Sequence, residues 1–430
     1  MAAVAIGGAW LSAGAAPFVD AVAGATAPSD FPTDFVIAAR RARGARAGTD
    51  IVTGNEEARA AGAPAFVPVG APYRAHPPPA VMLVRPLVGL GFRGAALVWL
   101  ALSLLAVAAL AWIVTGVFVS EPHRRFARVW PVFAALALWP PVLHNFEKGQ
   151  WSVPIAALLA LGWVAARRGW TGRAGALIAA AACFKVTPGL ALAALLARPG
   201  RARALAGAVA AVTGLALASA LVMGLAYWVD FVESSGMNTA GWQTAPANTM
   251  SLWGVLSRLL IGGTFANAAV VSPLAARVLW IILALLLVGV ASAVTWREAR
   301  SAPRPLAPSV RAFAAWSALA AILGPLAWTH TATWLILPGA LLLHENLPSN
   351  LGAARQHDDV PLRLGAILAA FALLTIPRLR LFALAGTLPV APLRGLALGL
   401  HLLGALLVFA VACTSPTRSD RAGRPQGAVP

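Results

Sequence analysis

Charged side chains are scarce in this sequence, and acidic ones are the scarcest. Only 11% of the 430 residues are charged, with 33 lysines and arginines against 15 aspartates and glutamates, while 59% are hydrophobic. The mean hydropathy of +0.76 lies well outside the range of soluble globular proteins of this length. The composition therefore excludes a soluble domain and predicts a polytopic membrane protein.

Cysteine is nearly absent, and so are the short signatures of soluble enzymes. Cys183 and Cys413 both lie inside apolar segments, which excludes a disulfide framework and a zinc-binding spacing. The chain has no HExxH, no Walker loop, no GxGxxG before a strand and no GxSxG. Hydrolases, ATPases and dehydrogenases of the soluble type therefore have no support.

Nucleic acid is not expected as a partner, despite a net charge of +18. The arginines fall in short connections between apolar stretches and form no basic face with interleaved aromatic residues. By the positive-inside rule these connections are cytoplasmic loops, and both chain termini are predicted to be cytoplasmic. The clusters run from Arg124 to Arg128, Arg167 to Arg173, Arg198 to Arg203, Arg297 to Arg311 and Arg418 to Arg424.

Long apolar stretches make up most of what is present. Each is close to the ~20 residues that cross a hydrocarbon core. Because lipid offers the backbone no water, such stretches are expected to be helices. We predict an all-α bundle of about ten to twelve transmembrane helices. The clearest stretches are Ala95–Val119, Leu205–Tyr227, Val278–Trp296 and Leu396–Cys413.

The organisation follows from this topology. Residues 1–413 are predicted to form a single integral membrane domain, with 414–430 as a disordered cytoplasmic tail. The N-terminus lacks a basic n-region, which favours an uncleaved first helix over a signal peptide. Two long segments, 20–92 and 228–267, are predicted to be extracytoplasmic loops. The stretch Ala174–Ala197 must enter the membrane and return, as two short helices hinged near Lys185–Pro188.

The string HNFEKGQWSVP, His144–Pro154, gathers polar side chains between two apolar runs. Polar groups are costly to bury unless they face water or a ligand. We predict that the string forms a short turn between Trp130–Leu143 and Val153–Ala166, on the outer side, where it lines a water-filled cavity.

Other ionisable residues collect on the same predicted side. Lys185 is flanked by AACF and VTPG; it either binds a phosphate as a point charge or reaches out to the membrane interface. His330, in LAWTHTATW, either contacts a ligand or is an interfacial histidine with a satisfied hydrogen bond. Asp30 and Asp34 are four residues apart at the start of a predicted surface helix, Asp34–Ala47, where they share a face or cap the helix.

Several stretches, in order, resemble one family of membrane glycosyltransferases. The family's asparagine-then-GQ motif and its following helix are similar to HNFEKGQWSVPIAALLALGWVAARRG, and its lysine-x-threonine-proline hairpin to AGALIAAAACFKVTPGLALAALLARPGRARA. Two later segments are similar to NTMSLWGVLSRLL and PLAWTHTATWLILPGALLL. Its first-loop aspartate helix and proline-rich stretch resemble TDFVIAARRARGARAGTDIV and YRAHPPPAVMLVRPL. The chain thus resembles the GT-C class polytopic glycosyltransferases of family eighty-seven.

The resemblance implies an activity. The family contains polyprenyl-phosphomannose-dependent α-mannosyltransferases and related arabinofuranosyltransferases. It implies inverting transfer of a sugar, with mannose favoured, from a polyprenyl-phosphate donor to a lipid or glycan acceptor at the outer face of the cytoplasmic membrane. The family's usual residues differ at Val52, at Val36–Ala38 and at Ala327, which bears on sugar specificity rather than on fold.

The resemblance also implies site residues. The family's catalytic aspartate falls on Asp34 if the distance to Gly48 is kept, or on Asp30 if the SDFP string is matched; we favour Asp34. Cations stabilise the departing phosphate, so no metal or cofactor is expected. The implied donor-binding residues are Lys185 and Arg258 for phosphate, His330 for phosphate or sugar, and Gln150, Asn145, Asn248 and neighbouring His144 for the sugar.

Two alternatives remain. One is an arabinofuranosyltransferase or another lipid-linked sugar transferase on the same scaffold. The other is a lipid-linked sugar transporter or flippase, which would share the helix count and the buried charges. A transporter is expected to have paired, similar halves with broken helices, and the sequence has no internal repeat.

Overall fold

The computed structural model describes residues 31–42, 76–229, 231–232, 249–262, 271–301, 308–324, 327–347, 359–376, 378–388 and 391–414. Within these ranges the chain is helical and has no strand; two residues, Thr249 and Trp328, form an isolated antiparallel bridge. The helices are α1 Phe31–Ala42, α2 Pro78–Val84, α3 Gly91–Phe118, α4 Pro122–Ala137, α5 Pro140–Lys148, α6 Ser152–Arg167, α7 Thr171–Phe184, α8 Ala193–Leu196, α9 Arg201–Met223, α10 Leu252–Leu260, α11 Pro273–Ser301, α12 Val310–Leu323, α13 Ile336–Asn346, α14 Asp359–Thr375, α15 Arg378–Thr387, α16 Ala391–Ala397 and α17 Leu400–Thr414. Three 3-10 segments join them, Arg85–Leu90, Thr187–Leu192 and Thr329–Leu335.

The predicted all-α membrane architecture is confirmed. Three described stretches are long and apolar enough to cross a membrane, Pro78–Phe118, Arg201–Met223 and Pro273–Arg300, and α4 with α5 forms a fourth if the pair, bent by 63°, is one span. Six shorter apolar helical stretches accompany them. The total of ten to twelve spans, the domain limits and the cytoplasmic termini stay predictions.

The core is built around α6 and α12. Every residue of α12 from Ala312 to Leu323 is buried, and the Trp163 ring of α6 lies 4.8 Å from the Phe313 ring of α12. α6 packs between α3 and α7, while α12 packs against α17 and the segment Thr187–Leu192. The surrounding elements therefore pack against these two helices.

Arg311 fixes one end of this core. Its Nε and a terminal nitrogen donate to the last carbonyls of α17, those of Ala412 and Cys413, each at 3.0 Å. The carboxylate of Glu298 lies 3.5 Å from the Arg311 Nε. A cation at a helix C-terminus satisfies carbonyl groups that the helix leaves unpaired.

Glycines bring α7 and α9 into close contact. A Cβ added at Gly175 would collide with the backbone carbonyl of Ala204, and one added at Gly207 would collide with the carbonyl of Gly172. Small residues allow helix backbones to approach closely where lipid gives no hydrophobic driving force. Packing of the pair therefore depends on the missing side chains.

Three local predictions can be compared with the structure. The break near Lys185 is confirmed, because α7 ends at Phe184 and Lys185 is in extended backbone. The predicted turn at His144–Pro154 is wrong, since α5 continues to Lys148 and only residues 149–151 turn. The pair Pro140-Pro141 starts this helix, and Gly149, in the left-handed conformation, ends it.

The predicted surface helix Asp34–Ala47 also needs correction. The helix begins at Phe31, and the end of the predicted range lies outside the described residues. Phe31 and Phe35 are buried against α2, α3 and the segment Arg85–Leu90. α1 is therefore part of the packed bundle.

We expect Gly175→Leu and Gly207→Leu to lower the free energy of unfolding in detergent by at least about 2 kcal/mol, because overpacking forces backbones apart. Gly214→Leu is the matched control on α9, since nothing lies within 4 Å of an added Cβ there. Thermal unfolding of the purified variants measures the difference. Equal stabilities for all three would contradict the close contact.

Candidate active site

Six helical elements end or begin at one place in the bundle. The first turn of α1, the start of α2, the end of α5, the start of α6, the end of α7 and the start of the segment Thr329–Leu335 supply its side chains. Proline and glycine set these ends, as at Pro77–Pro79 at the start of α2 and Gly149 after α5. The sequence thus interrupts its helices where its polar residues lie.

Asp34 is the buried carboxylate of this region. Its side chain is fully buried in the first turn of α1. The Oδ2 atom accepts hydrogen bonds from His76 Nδ1 at 2.8 Å and from Trp151 Nε1 at 3.4 Å. The Oδ1 atom is also buried and has no hydrogen-bond partner among the described residues. The possibility that Asp34 caps an exposed helix is therefore wrong.

Trp151 links Asp34 to the next part of the site. It stands just before α6, and its ring stacks on Phe184, the last residue of α7, at 5.3 Å with an interplanar angle of 9°. The His76 ring meets it edge-on at 6.5 Å. The residue after Phe184 is Lys185, so this stack also fixes the backbone position from which the lysine side chain extends.

Lys185 and His330 form a close pair. The lysine Nζ lies 3.3 Å from His330 Nε2 and 5.9 Å from the centre of the Trp334 ring. Burial, reinforced by the positive charge of Lys185, holds the pKa of His330 well below its usual range. An ammonium group only donates, so Nε2 accepts and the neutral imidazole carries its proton on Nδ1. Nδ1 is buried and has no hydrogen-bond partner within the described ranges.

His144 extends the site along α5. Its ring centre lies 5.5 Å from that of His330, and its Nδ1 lies 3.1 Å from a carboxylate oxygen of Glu147. Lys148 contacts the other oxygen of Glu147 at 3.0 Å. The helical register of α5 therefore places His144 beside His330.

The two predicted amide ligands, Asn145 and Gln150, have protein partners. The side-chain oxygen of Asn145 accepts from the backbone nitrogen of Val153 at 3.1 Å and so caps the start of α6. Its Nδ2 is buried without a partner among the residues described. Gln150 Oε1 lies 3.2 Å from His76 Nε2.

Arg258 lies on α10 and is also buried. One terminal nitrogen donates to the carbonyl and the hydroxyl of Thr249, each at 3.1 Å, and the other donates to the carbonyl of Leu398 at 3.4 Å. Burial lowers its pKa to about 10, so the guanidinium stays charged at neutral pH. Thr249 bridges to Trp328, whose ring stacks on His330 at 6.2 Å. Arg258 thus supports the His330 segment through Thr249.

The structure brings together most of the residues predicted from sequence. Asp34, Gln150, Lys185, His330, His144 and Asn145 all border the same helix ends. Asp30 and Asn248 lie outside the described residues. Sequence reasoning missed two partners of Asp34, which are His76 and Trp151. The sequence signal for His76 is its position directly before a proline run, which restricts its backbone to extended conformations.

Metal-binding geometry is not evident in this region. Among the described residues, no three histidine, cysteine, aspartate or glutamate side chains are grouped to hold a metal ion. What the residues do offer is one buried carboxylate oxygen without a partner, one buried imidazole donor and a lysine. That set suits transfer of a proton beside an anion.

Fold and site together define a helical membrane protein with a buried cluster of titratable side chains at helix ends. Comparison with known proteins gives the family: residues 75–323, more than half of the chain, match the model of glycosyltransferase family 87. The chain belongs to this family and is a membrane glycosyltransferase. No curated protein and no solved structure matches it. Family membership favours the enzyme over the transporter alternative.

We expect Arg258→Ala to destabilise the protein even without substrate, by about 3 kcal/mol, because buried carbonyl oxygens lose their donor. Thermal unfolding of the purified protein is the measurement. Arg203→Ala, at an exposed arginine of α9, is the control and should leave unfolding unchanged. A stable Arg258→Ala variant would argue against the supporting role described above.

Proposed function

We propose that the protein transfers a sugar, with mannose the first candidate, from polyprenyl phosphate to a lipid or glycan acceptor. The reaction takes place at the outer face of the cytoplasmic membrane and inverts the anomeric centre. Asp34 is the base, and Lys185 and His330 bind the donor. Family membership supports the reaction class, and the residues at the helix ends support the assignment of roles.

One observation carries the proposal. The Asp34 carboxylate has one oxygen held by two donors and the other buried without a partner among the described residues. Buried polar atoms in folded proteins are nearly always hydrogen-bonded, and exceptions are often functional. The hydroxyl of the sugar-accepting substrate is the group that would donate the missing hydrogen bond to Oδ1.

Inversion requires one displacement. The acceptor oxygen forms a bond to the anomeric carbon as the carbon–phosphate oxygen bond breaks. The proton of the acceptor hydroxyl passes to Asp34 Oδ1, and the bonding electrons leave with the phosphate. A single carboxylate suffices, because no covalent sugar–enzyme intermediate forms.

The leaving polyprenyl phosphate gains negative charge, and Lys185 supplies the opposite charge. His330 complements it, because the neutral ring turns Nε2 to Lys185 and keeps a donor proton on Nδ1. That proton can be donated to a phosphate or sugar oxygen. No cofactor is proposed, and the partners are the bilayer, the lipid-linked donor and the acceptor.

The decisive test is transfer of labelled mannose from polyprenyl phosphomannose to lipid acceptors in membranes that contain the protein. We expect Asp34→Asn to lower transfer by about 10³-fold, because the base is lost. Asp30→Asn is the matched comparison and should retain activity.

The other outcomes are equally informative. Transfer of a pentose but not of mannose would replace the sugar and keep the mechanism. Loss of activity in Asp30→Asn alone would move the base to Asp30. Wild-type protein that transfers no sugar from any polyprenyl phosphate would refute the proposed donor.

Lys185 can be tested against the only other lysine of the chain. We expect Lys185→Met to lower kcat/KM for the donor by about 10²-fold, because the leaving phosphate loses its cation. Lys148→Met should change kcat/KM little, since Lys148 pairs with Glu147 at 3.0 Å. Initial rates at varied donor concentration separate the two. Equal losses would point to general electrostatics rather than to a phosphate contact.

A further inference from the structure

His76 lies between two residues of the site and contacts both. Its side chain is 1% exposed, its Nδ1 lies 2.8 Å from Asp34 Oδ2, and its Nε2 lies 3.2 Å from Gln150 Oε1. We propose that His76 is the positioning residue of the base, and that Gln150 acts by holding His76 rather than by binding the sugar. This inference rests on the proposed role of Asp34.

The first step is the asymmetry of the Asp34 carboxylate. The χ2 torsion of an aspartate is broad and roughly two-fold. An unrestrained carboxylate can therefore place either of its two oxygens in a given position. Here His76 and Trp151 both donate to Oδ2, which selects one orientation. Oδ1 is left as the atom that takes the proton.

The second step concerns the ring of His76. Ionised Asp34 only accepts hydrogen bonds, so Nδ1 must carry a proton. At Nε2 the Gln150 amide can accept from a protonated ring through its oxygen, or donate to a neutral ring after a half-turn of the amide. Gln150 therefore holds the ring in either protonation state.

The third step is that the supports come from separate parts of the chain. His76 precedes Pro77, which restricts its backbone, and α2 begins directly afterwards at Pro78. Gln150 follows the left-handed Gly149, and Trp151 is clamped against Phe184. Side chains locked in this way hold a reacting group more precisely than one flexible contact.

Two conservative variants of His76 separate the effect of the donor atom's position from the effect of side-chain size. Asparagine carries its amide nitrogen close to where Nδ1 of histidine lies, whereas glutamine carries it nearer Nε2. We expect His76→Gln to lower kcat by about 10²-fold while the donor KM stays within about twofold, because the base is misoriented but the donor site is intact. His76→Asn should recover most of that loss.

Gln150 and a control complete the kinetic test. Gln150→Leu should lower kcat by about tenfold with unchanged donor KM; a raised KM with unchanged kcat would mean that Gln150 binds the sugar instead. His401→Gln is the burial-matched control, because that imidazole is 3% exposed and contacts the carbonyl of Ile376 at 2.9 Å. It should stay near wild-type activity.

A second readout separates this inference from the proposed function. Nitrogen NMR of protein with isotope-labelled histidine reports the His76 ring, assigned by the signal lost in His76→Asn. Asp34→Asn and Gln150→Leu should each shift that signal. An unmoved signal, or equal kcat in His76→Asn and His76→Gln, would overturn the inference. Wild-type protein without transferase activity would refute the proposed function, and the NMR result would still decide the contact.

Discussion

The hydrogen bond from His76 to Asp34 is the contact on which the arrangement of the site depends. It joins α1 to the start of α2 across 42 residues of sequence. A carboxylate buried in a membrane protein is costly unless donors surround it. Because His76 and Trp151 both serve Oδ2, satisfying that carboxylate also aligns α1, α2 and α6.

A polar site in a chain of mostly apolar helices requires that some of those helices be interrupted. Each polar residue needs backbone that can turn toward its neighbours, and a continuous apolar helix does not provide it. Proline at the starts of α2 and α5, glycine after α5 and the extended residue after α7 provide these interruptions. The long helices α9 and α11 have no comparable break, and they expose apolar side chains along much of their length.

Sequence reasoning predicted the elements better than their contacts. Apolar stretches of spanning length such as Val278–Trp296 are helical because lipid leaves the backbone no alternative. The break at Lys185 was predicted because Ala174–Ala197 must enter the membrane and return. The extent of α5 was misjudged, because the clustered polar residues suggested a loop while Pro140 and Gly149 set the true ends. Local signals for helix ends therefore outweighed polarity.

Local sequence patterns could not predict which distant residues contact each other. Asp34 contacts Trp151 from 117 residues away, and Arg258 contacts Leu398 from 140 residues away. Nothing in the local sequence distinguishes a guanidinium that donates to backbone carbonyls from one that binds a phosphate. The resemblance to family eighty-seven gave Lys185 and His330, but their mutual contact depends on how α7 and the segment Thr329–Leu335 pack around α6.

The end of α7 constrains the length of that helix. Phe184 and Lys185 are consecutive, yet one stacks on Trp151 and the other meets His330. An α-helix turns by about 100° and rises about 1.5 Å per residue. Inserting or deleting one residue within Thr171–Phe184 would rotate both side chains away from their partners together, whereas a same-sized substitution there would not. The length of α7 therefore sets where Phe184 and Lys185 lie, while the absence of a side chain at Gly175 sets how closely α7 packs on α9.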